Sequence, residues 1–96
     1  MLTIDDIKKT IAEIAPQYNL TKVTLFGSRA NGTATENSDV DLLVEFSADI
    51  TVTLLTLSSL KVQLEEIWNL NVDVIHAPIP EKSILIIDKE LEIYAA

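Results

Sequence analysis

Ninety-six residues, 48% of them apolar, suffice for one small domain over residues 1–96, with some apolar surface left outside for a partner. A formal charge of −8 excludes loose binding to nucleic acid, which needs many lysine and arginine contacts to phosphate, so no DNA partner is expected. The chain has no cysteine, which excludes disulfides and thiolate zinc sites.

Ile4, Ile7, Ile11 and Ile14 recur at helical spacing. Thr3 precedes them and Asp6 follows three residues on, the pattern of a capping box with Asp in place of Glu. Pro16 is expected to end this first helix. Lys22-Val23-Thr24-Leu25-Phe26 reads as a strand that runs into Gly27-Ser28. The small, polar segment from Arg29 to Asn37 reads as a loop with one helical turn at its start. Val40 to Phe46 is a second strand.

Leu54, Leu57, Leu60, Leu64 and Ile67 mark one face of a long helix, with Trp68 beside the last of them. Leu55 and Val62 lie off that stripe and make the helix apolar on a second side. Asn69 suits a left-handed cap. Val72-Asp73-Val74-Ile75 reads as a third strand. Pro78 and Pro80 break the chain, and Ser83 to Asp88 suits a short last helix. Leu91 to Tyr94 fits either a final extended piece or a continuation of that helix. The order is that of an α/β (α+β) fold, a small mixed β-sheet with helices packed on it. No stretch approaches the roughly 18 apolar residues that cross a bilayer, and no apolar run near Met1 suggests a signal peptide. The expectation is a cytoplasmic protein without a membrane partner.

Two short patterns carry chemistry. Gly27 ends a strand, and its missing side chain leaves it free to take backbone angles closed to other residues and to let a ligand approach the main chain. Ser28 adds a hydroxyl, and successive N–H groups in such a turn form a nest for anions. Downstream, Ser38-Asp39-Val40-Asp41-Leu42 sets two carboxylates two residues apart, which puts both on one strand face with Val40 on the other. Magnesium takes about six oxygen ligands, and two carboxylates with phosphate oxygens and water supply them. Without a cation the pair repels and one pKa rises.

Alone, an Asp-x-Asp is more often a turn cap followed by a solvated strand residue. The upstream turn changes that balance. Asp73 lies within an apolar strand, where an unpaired charge is out of place. It either marks the wet face of an edge strand or joins Asp39 and Asp41. His76, the sole histidine, reads as a surface or packing residue, and Tyr18 and Tyr94 as packing residues. Arg29 and Lys82 are candidate phosphate contacts, though each is more often a solvated charge.

Together these residues resemble the nucleotidyltransferase superfamily related to DNA polymerase beta, in its shortest prokaryotic, MntA-like branch. That pattern is a Gly-Ser turn, a loop, an Asp-x-Asp and a later Asp on a third strand. Gly27-Ser28, Ser38-Asp39-Val40-Asp41-Leu42 and Asp73 stand at those places, and the likeness runs from about Lys22 to Ile75. Asn31 departs from it, because family members often carry a basic residue there. The resemblance implies transfer of a nucleotide, usually adenylate from ATP with Mg2+. It implies Asp39, Asp41 and Asp73 as catalytic metal ligands, with Asp73 helping to deprotonate the attacking hydroxyl. Gly27, Ser28, Arg29 and Ser38 would bind the nucleotide.

Little chain is left for binding an acceptor, so that surface is expected to be very slight or to come from another protein, in a homo- or hetero-oligomer. The resemblance implies a small helical HEPN-type toxin, adenylylated on a tyrosine or simply bound, with this chain as antitoxin. Two other readings stay open: a binding module without turnover, and a nucleotidyltransferase acting on a small molecule or RNA.

Overall fold

The computed structural model describes residues 2–32, 34–35, 37–76 and 90–96. The expected helix over Ser83 to Asp88, together with Pro78, Pro80 and Lys82, lies outside the described residues.

Helix α1 (Ile4–Tyr18) begins where its capping pattern lies. Thr3 Oγ1 accepts from the Asp6 N–H and Asp6 Oδ2 accepts from the Thr3 N–H, both at 3.0 Å. Two otherwise orphaned donors are thereby satisfied. Pro16 does not end the helix. It sits inside the last turn, and the chain leaves the helix at Asn19, with φ 56° and ψ 42°. A proline there removes the bond to the carbonyl of Ala12, an exposed residue, so water can replace it.

Strand β1 (Leu20–Phe26) leads through Gly27 into the single turn α2 (Ser28–Asn31). After the loop come β2 (Val40–Phe46), α3 (Leu54–Trp68), β3 (Val72–His76) and β4 (Glu90–Ala95). Leu91 to Tyr94 is therefore strand, not helix. The sheet order is β3-β2-β1-β4. β1 pairs antiparallel with β2 and with β4, while β2 and β3 run parallel, joined by the α3 crossover.

The two sheet faces differ sharply. Val40, Leu42 and Val44 are fully buried on one, while Asp41, Leu43 and Glu45 alternate onto the other. Ile7, Ile11, Ile14 and Ala15 of α1, Leu20, Val23 and Leu25 of β1, Leu60 and Leu64 of α3, and Val72 and Ile93 complete the core. Side chains link the two helices: Tyr18 Oη donates to Gln63 Oε1 at 2.8 Å, and Trp68 Nε1 donates to Thr10 Oγ1 at 3.2 Å.

The inward face of α3 is narrower than its leucine spacing predicts. Leu57, Leu60, Leu64 and Trp68 pack on the core, but Leu54 is 82% and Ile67 49% exposed. Both lie on the flanks of the apolar arc, and the sheet covers only its centre. Leu55 and Val62, expected off the stripe, are exposed too. Asn69 caps the helix at φ 54° and ψ 42°.

β3 is an edge strand, and α3 covers its open backbone at Val72. The Val72 N–H donates to Glu65 Oε2 at 3.0 Å, and Lys61 Nζ donates to the Val72 carbonyl at 2.7 Å. Lys61 also pairs with Glu65 at 2.9 Å. The two side chains stand where a further strand would bond. Among the described residues no helix is long and apolar enough to cross a membrane.

Candidate active site

Three strands bring the site together in one row. The ladder sets Asp41 opposite Phe26 on one side and opposite Asp73 on the other. Neighbouring strands lie about 4.8 Å apart. Asp41 and Asp73 share the face that the helices leave open, because Val40, Val72 and Val44 take the helix side.

Gly27 follows Phe26 with φ 79° and ψ −157°, a conformation that disfavours any side chain. A second constraint acts on the same atom. A Cβ placed on Gly27 would overlap Asp41 Oδ2 and stand 3.3 Å from Asp41 Cγ. The strand end is thus bare of side chain so that the Asp41 carboxylate can lie across it. Ser28 opens α2 directly beyond, and Gly32 closes that turn with its N–H on the Ser28 carbonyl.

Burial first, then the adjoining Asp73 carboxyl and the more distant Asp39, push the Asp41 carboxyl up to about 6. Asp39 is exposed and lies just before the first ladder residue of β2. Among the described residues no three histidine, cysteine or acidic side chains close on a single metal position. The expected meeting of three carboxylates is therefore met by two, Asp41 and Asp73, with Asp39 at the rim. All are hard oxygen donors, the class that magnesium takes. The crowding that raises Asp41 is what a bound cation relieves, so the donor set fits that ion.

Arg29, expected at a phosphate or in solvent, is 5% exposed. Its Nε and Nη2 donate to the Ser38 carbonyl at 3.2 and 2.8 Å, and its Nη1 donates to the Leu2 carbonyl at 3.4 Å. The Ser38 hydroxyl accepts from the Thr35 N–H at 2.8 Å, closing a turn just ahead of Asp39. Sequence reasoning missed this loop tie. Its one signal was a basic residue inside a turn otherwise made of small residues. It also missed the Lys61–Glu65 pair on β3, which the i, i+4 spacing on a helix could have suggested.

His76 stacks edge-on against Phe46, with ring centroids 5.3 Å apart. It stands on the strand face opposite to Asp73, in line with the packing role expected for it. An open depression of about 450 Å³ is lined by Asn37, Glu65, Asn69, Leu70 and Asn71. None of the three aspartates lines it, so size alone does not locate the chemistry.

A family model described as a nucleotidyltransferase domain matches residues 4–94. MJ0435 of Methanocaldococcus jannaschii, provisionally named a protein adenylyltransferase, is 38% identical over 74 residues, 77% of each chain. The protein adenylyltransferase MntA of Thermococcus cleftensis is 33% identical over 79 residues, 78% of each chain. Among solved structures, a toxin–antitoxin crystal structure with AMP-PNP superposes with a TM-score of 0.74 at 20% identity. That match covers 93% of this chain and 73% of the other, and it shows a shared fold.

Proposed function

The chain belongs to the nucleotidyltransferase-domain family, and from that premise we propose that it moves the adenylyl group of ATP onto a hydroxyl of a protein partner. One observation carries the reading: Asp41 lies between the bare Gly27 turn and Asp73 in a single row of the sheet. A phosphate chain held at the turn would run directly into the paired carboxylates.

In this reading Gly27 and Ser28 receive the β- and γ-phosphates through main-chain N–H groups and the Ser28 hydroxyl. Asp41 and Asp73 would hold magnesium, with Asp39 reaching in from the rim, and the ion would neutralise charge on the phosphates and on the leaving group. The acceptor oxygen bonds to the α-phosphorus, the bond from that phosphorus to the bridging oxygen breaks, and pyrophosphate departs. Asp73, at the exposed sheet edge, takes the hydroxyl proton. Asp41, enclosed between β1 and β3, stays on the nucleotide side. Protein groups here mainly position and neutralise, as is general in phosphoryl transfer.

The proposed partner is a HEPN-type helical toxin, with this chain as antitoxin. The names of the relatives and the toxin–antitoxin complex that shares the fold support this choice. The outer side of α3 supports it too. Leu55 and Val62 are 79% and 51% exposed and, with Ser58, Ser59, Gln63 and Glu66, line a shallow depression of about 370 Å³. Exposed apolar side chains grouped in this way mark contact surfaces.

The test uses purified protein, magnesium and ATP labelled at the α-phosphate, with and without such a partner. Label on the partner is the expected result. A tight unlabelled complex would make the chain a binding module, and label on a small molecule or RNA would give it another acceptor.

A further inference from the structure

We infer that Arg29 is a positioning residue that aims the Asp39 carboxylate, and that it works on the loop backbone instead of on the nucleotide. The inference rests on the reading of Asp39 as a metal ligand. Asp39 lies outside the regular ladder, is exposed, and is preceded by a loop, so its own surroundings do little to fix it.

The two peptide planes that flank its Cα are both tied. The plane before it contains the Ser38 carbonyl, which takes two N–H bonds from the Arg29 guanidinium at 3.2 and 2.8 Å. The plane after it contains the Val40 N–H, which donates to the Asn71 carbonyl at 3.0 Å. Peptides are rigid planes, so fixing the plane on each side of one Cα fixes both its soft dihedrals. The direction of the Asp39 Cα–Cβ bond follows, and with it the region its carboxylate can reach.

The second tie comes from Asn71, the residue just before β3, the strand that carries Asp73. The first comes from α2, the turn that carries Ser28. Arg29 therefore sets one part of the site against the other, across nine residues of chain. Its third bond, to the Leu2 carbonyl at 3.4 Å, anchors the guanidinium from behind. A lysine could not reproduce this. Its ammonium keeps the charge but lacks the planar fork that reaches one carbonyl with two nitrogens and a second carbonyl with the third.

The experiment compares wild type with Arg29→Lys by manganese titration of the nucleotide-free protein, read by electron paramagnetic resonance. ATP binding without metal and the melting temperature are followed alongside. The expected result is manganese affinity about tenfold weaker, the usual scale for losing a group that orients a metal ligand, with nucleotide affinity unchanged. Unchanged manganese affinity with weakened ATP binding would overturn the inference and return Arg29 to the phosphates. A lower melting temperature with both affinities unchanged would overturn it as well, leaving a structural role only.

If Arg29→Lys does not fold, Arg29→Gln removes the fork on the Ser38 carbonyl while keeping an uncharged amide donor. Manganese affinity equal to wild type in that variant would overturn the inference. Should wild type itself bind no manganese, the metal reading of the site fails first, and that outcome is distinct from failure of the Arg29 role.

Discussion

The Asp41 carboxylate occupies the space where a side chain on Gly27 would begin. The glycine and the aspartate are therefore one feature, built from the end of β1 and the second residue of β2. Gly27→Ala meets two penalties, a positive φ of 79° and overlap with Asp41 Oδ2. It should lose transfer activity and about 1–3 kcal/mol of stability. The double variant Gly27→Ala/Asp41→Ala removes the overlap, so it should melt above Gly27→Ala while staying inactive. Calorimetry of the four proteins in this cycle measures the coupling, and strict additivity would sink the relationship.

Asp41 should make the metal-free protein pH-sensitive. Its carboxyl moves from an ordinary 3.8 to about 6 on folding. Well below pH 3.8 both states are protonated, and the favourable contribution of the protonated form is fully present. As pH rises through 6 the folded form ionises within its crowded site and that contribution is lost. With solvent around the group the change is about 1 kcal/mol. Denaturant melts of metal-free protein should thus show stability falling between pH 4 and 6.5 on this account. Asp41→Asn should flatten that slope, stabilise the metal-free protein at neutral pH and abolish transfer. A steep slope retained in Asp41→Asn would assign it to another group.

The Lys61–Glu65 pair should hold the first residue of β3. Glu65 lies below the usual carboxylate range, chiefly through Lys61 and next through the Val72 N–H. Glu65→Ala removes the partner of that N–H on an edge strand. Faster hydrogen exchange at Val72 and a lower melting temperature are expected, while the α1 amides change only in step with global stability. Exchange at Val72 equal to wild type would show that water replaces Glu65 without loss.

Stability should divide along α3. Leu64 is fully buried, so Leu64→Ala should cost about 2–5 kcal/mol. That is much of the total for so small a chain. Leu54 is 82% exposed, and Leu54→Ala should stay within about 0.5 kcal/mol. Chemical denaturation of the two variants separates them, and equal losses would contradict the orientation of α3.

That contrast marks where the sequence stops being readable. Leu54 and Leu64 carry the same side chain on one helical period, and only the breadth of the sheet below decides which is covered. The start of α1 was legible because Thr3 and Asp6 act on each other locally. The bounds of β2, Val40 to Phe46, were legible from a run of branched residues that closes on an aromatic. Pro16 misled, because a proline in a last turn removes a bond that water can make. The Asp39-x-Asp41 motif was plain in the sequence, but its meeting with Asp73 depends on β3 pairing with β2 across the α3 crossover. The role of Arg29 was hidden for another reason: a basic residue in a turn of small residues reads the same whether it is solvated or buried against backbone carbonyls.

The parallel pairing of β2 with β3 has one more effect, on how the chain finds its native alignment. Side chains alternate across a strand, so a slip of one position along β3 would drive Asp73 among the leucines of α3 and turn Val72 out to water. A charge buried there without a partner is heavily penalised. The acid proposed to accept a proton also serves as a proofreader of strand alignment, rejecting the wrong pairing before any nucleotide is met.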